Sequence, residues 1–253
     1  MAETAAKVVK SAGRAFAVLE FFDDIRRPAT ATEVRAALGF PASSTSALLG
    51  SLVELGYLHY DARKRNYRPT MRVGLLGHWT RDRTSVDSLQ PMLEDITRDT
   101  GQLVVLGARC RLNAQYIQVI CAAGSRPVRR GTLAPLTRTA VGLMLMSKLR
   151  NDDILRIVTR LNAGEPDSAV SPARLIEQIE EVRRTGFAYC FGQVTPGVGA
   201  ISMALPTASS EPPVVLAVSG SGEKFVEQRD DILLAMRSRI ARYTLDSGAE
   251  RAI

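Results

Sequence analysis

Cysteine is scarce in this chain of 253 residues: Cys110, Cys121 and Cys190 are the only three, and no two form a Cys-x-x-Cys pair. That excludes a disulfide scaffold and points to a reducing compartment. Histidine is scarcer still. His59 and His78 leave nothing for a histidine-based triad in the last two thirds of the chain. No cluster of His, Cys, Asp or Glu has metal-ligand spacing. Long hydrophobic runs are missing as well. The longest uncharged stretch, Thr185 to Ser210, is broken by Gly186, Gly192, Pro196, Gly197, Gly199 and Pro206, so it reads as strands and turns rather than a spanning helix. From Met1 to Phe22, Lys7, Lys10 and Arg14 are interspersed among apolar residues, unlike the charged head and apolar block of a signal peptide. Gly197-Val-Gly199 lacks the strand–loop–helix setting of a dinucleotide fingerprint and reads as a turn. The cysteines read as small buried apolar groups. These absences argue against an enzyme, a cofactor and a membrane partner, and a cytoplasmic protein is the simplest reading.

What is present is an ordinary soluble composition, 45% hydrophobic and 23% charged, long enough for one or two domains. Lys plus Arg number 33 against 26 Asp plus Glu, a net charge of +7. A basic balance favours polyanionic partners, nucleic acid first and a membrane surface second. The excess is uneven: residues 1–80 hold 11 Lys/Arg and 7 Asp/Glu, more than half of it in the first third.

Residues 1–70 carry the pattern of three helices and a hairpin. Val8, Ala12, Ala15, Phe16, Leu19 and Phe22 recur at helical spacing. Thr30-Ala-Thr-Glu33 has capping-box spacing, and Gly39 stops the short helix it opens. Pro41 and Ser43 or Ser44 open a third helix that buries Leu48, Leu49, Leu52 and Leu55. Tyr57 to Tyr60, a turn over Asp61–Asn66, and Tyr67-Arg68 then form a hairpin with Arg63, Lys64 and Arg65 at its tip. Two short helices, a tight turn and a basic hairpin make a winged helix-turn-helix. Such a third helix fits the major groove, and the hairpin sets cations against phosphates. A three-helix bundle used for protein docking has the same local pattern.

These residues resemble the IclR family of bacterial transcription regulators. Phe40-Pro-Ala-Ser-Ser-Thr-Ser-Ala-Leu-Leu-Gly-Ser-Leu-Val-Glu-Leu-Gly-Tyr57 is similar to that family's helix-turn-helix. Arg129-Arg-Gly-Thr-Leu-Ala-Pro-Leu-Thr-Arg-Thr-Ala-Val-Gly142 is similar to its Gly-x-x-x-Pro-Leu-His-x-Thr-Ala-x-Gly-Lys segment. Arg183 to Ala188, Pro196 to Val198 and Leu216 to Gly220 match three further landmarks in order, over about residues 8–245. The third helix departs from the family: where relatives carry Lys, His or Arg it has Ala42, Ser46 and Ala47, and no cation stands between Pro41 and Val53. Ser43, Ser44, Thr45 and Ser46 are its candidate base contacts, with Ser43 or Ser44 equally readable as an N-cap.

Residues 71–100 read as connecting helices, through Leu75, Leu76 and Trp79, then Leu89, Met92, Leu93 and Ile96. Trp79 reads either as a junction residue or as ordinary core. From 101 to 253, strands over 103–108, 115–121, 187–191, 200–205 and 213–219 mix with helices over 137–149, 152–161, 172–184 and 226–245. That order implies an α+β domain, an antiparallel sheet with helices packed on it. The resemblance implies a GAF-like effector-binding fold, with a pocket between the sheet and the helix starting at Thr139. Its walls, carried over by motif, are Thr139, Ala140, Val141, Cys190, Val198, Ala200, Ser202, Ala217 and Ser219. Many relatives have an acid near Cys190, a Cys at Ala200 and a Ser at Ala217, leaving Thr139, Ser202 and Ser219 here as the polar groups. The expectation is therefore a regulator, homodimer or homotetramer, that binds double-stranded operator DNA and answers to a small organic effector, largely apolar or aromatic. Two alternatives stay open: an effector-independent DNA-binding oligomer, or a small-molecule-binding protein using the first helices only for assembly.

Overall fold

Two units, Met1–Arg83 and Thr84–Ile253, make up the chain in the computed structural model, which describes residues 9–77, 86–122, 128–206 and 212–250. In the first, α1 (Lys10–Ile25) ends where Arg26 turns left-handed and its N–H bonds to the Phe22 carbonyl. It buries Val18 and Phe22, whereas Phe16 of the expected stripe is 63% exposed. The phase is set by the residues that meet Ala29, Val34, Leu49, Leu52 and Leu58, and Phe16 points away from that core. Val8, at the start of the stripe, lies outside the described residues.

Helix α2 (Ala31–Leu38) has the capping box its sequence predicts. The Thr30 side chain accepts from Glu33 N–H, and the Glu33 carboxylate accepts Thr30 N–H at 2.8 Å. Glu33 also receives Arg27 at 2.8 Å. These contacts, the Thr30 N–H foremost, pull the Glu33 pKa down to about 2. Helix α3 (Ala42–Glu54) starts directly after Pro41, so Ser43 and Ser44 lie inside its first turn and neither is the N-cap. The bend between α2 and α3 is 118°, within the range of a helix-turn-helix. Strands β1 (Leu58–Asp61) and β2 (Asn66–Pro69) form the hairpin, pinned to the helices by a bridge between Ala29 and Tyr67. A short α4 (Met71–Leu75) follows. It is tied back to the end of α3 by Arg72, which donates to the Leu55 carbonyl at 2.9 Å and stacks on Tyr57.

The second unit is an α+β domain around one antiparallel sheet of six strands, in the order β5-β4-β3-β8-β7-β6. The strands are β3 (Leu103–Cys110), β4 (Asn113–Ile120), β5 (Leu133–Pro135), β6 (Ala188–Phe191), β7 (Val198–Ala204) and β8 (Val214–Ser221). Successive side chains point to opposite faces, and both faces are apolar. Leu103, Val105, Val215 and Ala217 face α6 (Ala140–Ser147) and α8 (Pro172–Thr185), with α7 (Asn151–Gly164) outside them. Val104, Leu106, Leu216 and Val218 face α5 (Val86–Thr100) and α10 (Arg229–Glu250), beside the short α9 (Gly222–Glu227). Residues 71–100 are thus not all connector. Leu89, Met92, Leu93 and Ile96 of α5 are buried on the sheet, and Arg239 of α10 pairs with Asp95 and Asp99. Trp79 and His78 lie outside the described residues.

Helix α6 is the centre of this unit and is buried along its whole length. Two glycines let it sit so close. A Cβ on Gly107 would lie 2.5 Å from Val141 Cγ1, and one on Gly142 would overlap the Leu136 backbone. Among the described residues, no single helix is long and apolar enough to cross a membrane.

Candidate nucleic-acid interface and effector site

The exposed side of α3 is set by its buried side. Thr45, Leu49 and Leu52 at i, i+4 and i+7 face the core, which turns Ser43, Ser46, Ala47 and Gly50 outward. Thr45 was a candidate base reader, and the structure corrects that: it is 1% exposed and its hydroxyl donates to the Pro41 carbonyl at 2.9 Å. Ser44 is half-buried and its hydroxyl is turned back to the same carbonyl at 3.0 Å. Ser43 and Ser46 remain exposed, their hydroxyls with no hydrogen bond among the described residues.

The wing turn is built by Asp61. Its Oδ1 accepts the N–H groups of Lys64 at 3.1 Å and Arg63 at 2.9 Å, a side-chain-closed turn. The Lys64 N–H is the largest cause holding the Asp61 carboxyl below its ordinary range. Arg65 closes the turn in the left-handed region, φ 51°. Only backbone groups of residues 63 and 64 serve the turn, so the side chains of Arg63, Lys64 and Arg65 all project outward, exposed. Two exposed hydroxyls on α3 and three cations clustered at the wing tip suit a major groove and its flanking phosphates.

In the second unit, strand register brings most of the candidate effector residues together. Cys190 lies beside Ala200, and Ala200 beside Ser219; in the next row Ala188 lies beside Ser202, and Ser202 beside Ala217. Val198 stands two residues before Ala200, and this face carries α6. The polar groups, however, are engaged within the framework. Thr139 Oγ1 caps Gly142 N–H at 3.0 Å and donates to the Pro135 carbonyl. Ser202, fully buried, donates to the Ala140 carbonyl at 2.6 Å and so ties α6 to β7; Ser219 donates to the Gly199 carbonyl at 2.8 Å. Each of these three hydroxyls, expected to meet a ligand, donates to a backbone carbonyl of the framework, and Ser202 alone of them is fully buried. Ala140, Val141 and Ala217 are likewise closed over as core, while Thr139, Val198, Ala200 and Ser219 remain partly exposed. Burial pushes the Cys190 thiol up to about 11, which keeps it neutral.

Sequence reasoning passed over Arg138. It is the only charge between Gly131 and Ser147, in a segment otherwise apolar or hydroxylic. Its Nε is buried without a hydrogen-bond partner.

The comparisons agree with this geometry. The family model described as the IclR helix-turn-helix domain matches residues 11–62, and that described as bacterial transcriptional regulator IclR C-terminal matches residues 82–243. The chain belongs to the IclR family of bacterial transcriptional regulators. It is 24% identical to the acetate operon repressor of Salmonella typhimurium, over 96% of this chain and 92% of that one. To the transcriptional repressor IclR of Escherichia coli it is 22% identical, with the same shares covered. The crystal structure of a regulator from Alicyclobacillus acidocaldarius shares the fold with a TM-score of 0.63, at 22% identity over 94% of this chain and 99% of that one. That of the Thermotoga maritima IclR has a TM-score of 0.61, at 20% identity over 92% and 98%. As an IclR-family member the protein is a DNA-binding transcriptional regulator, not an enzyme, with an N-terminal helix-turn-helix and a C-terminal effector-binding domain.

Proposed function

We propose that this regulator reads a roughly palindromic operator, in the cytoplasm, as a homodimer or a dimer of dimers. Ser43 and Ser46 contact base edges, and Arg63, Lys64 and Arg65 hold the phosphates on either side. The observation that carries this reading is the placement of two unengaged hydroxyls on the outward face of α3 together with an acid-closed wing whose three cations all face solvent. With no cation on α3, affinity comes mainly from the wing and backbone contacts, and discrimination from paired half-sites and DNA shape. Assembly is supported by apolar side chains left open on the first unit: Val9, Phe16, Met71, Leu75 and Leu76, each at least half exposed. Residues 1–70 act as the DNA-binding module, 71–100 as the connection and 101–253 as the effector module, with α5 serving both of the last two.

A small organic effector, largely apolar or aromatic, sits against α6 and the small side chains of Val198, Ala200 and Cys190, and its binding changes operator affinity. Ligand pockets are mostly apolar, and small residues on a sheet face leave room for a ring or chain. The test is selection of the operator from a randomised duplex library, followed by fluorescence anisotropy of that operator against a ligand panel, with wild type and Ala200→Leu. The wild type should release or tighten on the operator with an apolar or aromatic ligand, and Ala200→Leu should bind DNA normally and ignore the ligand. Equal response from the variant, or response only to small polar dicarboxylates, would overturn this reading of the pocket.

A further inference from the structure

Helix α3 carries a glycine that nothing within the chain requires. Gly50 lies in the body of this 13-residue helix with ordinary helical backbone, and no heavy atom comes within 4 Å of the place a Cβ would take. Gly107 and Gly142 differ, since a Cβ there would collide with Val141 or with the Leu136 backbone. A glycine inside a helix destabilises it relative to alanine, because it gives up more conformational freedom on folding. Where no neighbour in the chain needs the space, the glycine marks a backbone that something else approaches closely.

Its place on the helix says what approaches. At about 100° per residue, Ser43, Ala47, Gly50 and Glu54 fall within about 60° of one another, on the side opposite the buried Thr45, Leu49 and Leu52. All four are exposed. Ser46 stands at one edge of this line. At the other edge the Ser51 hydroxyl donates to the Ala47 carbonyl at 2.9 Å and stays on the helix. From Ser43 to Gly50 no outward side chain is larger than serine, and none carries a charge. That stretch is about 10 Å long, close to the roughly 12 Å width of a major groove. Residues 11–62 match the IclR helix-turn-helix, whose second helix is α3.

We propose that α3 reads its operator by close seating rather than by long side chains: the Ala47 methyl packs on the 5-methyl group of a thymine, and Gly50 lets the helix backbone come up against the sugar–phosphate wall of the groove. This rests on the reading of α3 as the helix that enters the groove, with Ser43 and Ser46 on base edges, and it names the base that the helix selects. The thymine methyl is the one apolar group among the base edges of the major groove, and an alanine methyl is its complement. Lysine or arginine reaches a base across a gap, whereas alanine touches one only if the backbone itself is near. Gly50, one turn beyond Ala47 on the same line, supplies that nearness. Glu54 lies about 6 Å further along the helix, beyond the span that enters.

The experiment uses the full chain and the operator selected from a randomised duplex library, with each thymine exchanged in turn for uracil, which lacks only the methyl. Anisotropy on these duplexes and on random duplex is recorded for wild type, Ala47→Gly, Gly50→Ala and Gly50→Leu, with the melting temperature of each. At one thymine per half-site, uracil should weaken the wild type about fourfold, as expected for one buried methyl, and Ala47→Gly should not feel that exchange. Gly50→Ala should melt higher than the wild type, since alanine is the better helix former, yet bind the operator on the order of tenfold more weakly. Gly50→Leu should bind it more weakly still. Random duplex, held through its phosphates, should be bound about equally by all four proteins. Operator affinity in Gly50→Ala that is unchanged, or that falls only as much as its affinity for random duplex, overturns the close seating. A uracil exchange felt at no position, or felt as strongly by Ala47→Gly as by the wild type, overturns the thymine contact. If Ser43→Ala and Ser46→Ala change base preference while Gly50→Ala and uracil change nothing, the close seating fails and the groove reading stands. If the wild type selects no preferred sequence, both fail together.

Discussion

Replacing Arg63, Lys64 and Arg65 together by alanine isolates the wing's electrostatic contribution. The substitution is clean because Asp61 closes the turn through the backbone N–H groups of residues 63 and 64, so truncating the side chains leaves the hairpin's hydrogen bonds in place. Each cation withdrawn from a phosphate flattens the slope of log affinity against log salt by about 0.9, so three per half-site reduce it by about 2.7. Over a fourfold rise in salt, from about 50 to 200 mM, that corresponds to roughly fortyfold less loss of affinity per half-site than in the wild type. The same change should weaken binding to operator and to random duplex alike, since phosphates carry no sequence. Fluorescence anisotropy on both duplexes across a salt series measures the two quantities, and circular dichroism confirms that the triple variant keeps its helices. An unchanged slope in a folded triple variant would refute the placement of these cations on phosphates, and with it the role given to the wing.

The hydroxyls of α3 should separate by burial. Ser43→Ala and Ser46→Ala should shift base preference in a randomised operator selection by about 1–3 kcal/mol for each hydroxyl-to-base hydrogen bond removed. Thr45→Ala should leave preference alone and lower the stability of the first unit by about 1 kcal/mol or more, through the missing bond to Pro41 and a small void; a changed preference would contradict its buried position. Glu33, with its pKa held at about 2 against an ordinary 4.5, contributes stability that is fully present above pH 4.5 and fades as pH falls toward 2. Acid titration followed by circular dichroism should therefore show a shallower loss in Glu33→Gln over that window, and identical curves would contradict the capping box. Thiol labelling near neutral pH should modify exposed Cys121 readily and spare buried Cys190, whose pKa is pushed up to about 11; rapid modification of Cys190 in the folded protein would refute its burial.

Much of the first unit was legible because its signals are local. A capping box, a glycine stop and a proline start each act within four residues, and all three stand where the spacing predicts them; the turn over Asp61–Asn66 is there too, and the structure adds that Asp61 closes it. The α+β class was legible too, since strand and helix periods alternate strongly from Leu103 onward. The very short elements were not. β5, with three residues, and α9, with six, are too brief for any period to show, and they exist because neighbouring strands and helices offer them partners. Nor could spacing alone settle which hydroxyls face outward. Thr45 differs from Ser46 by one position, about 100° of helix rotation, and only the packing of Leu49 and Leu52 against Val18 and Phe22 decides which of the two is buried. The effector residues were collected by motif from four separated segments. Strand register makes Cys190, Ala200 and Ser219 neighbours, but the hydroxyls of Thr139, Ser202 and Ser219 are spent on acceptors supplied by Pro135, Ala140 and Gly199. Arg138 is the converse case. Its charge is visible in the sequence, yet that its Nε is buried and unpaired depends on where every carboxylate in the folded chain comes to rest, which local sequence does not determine.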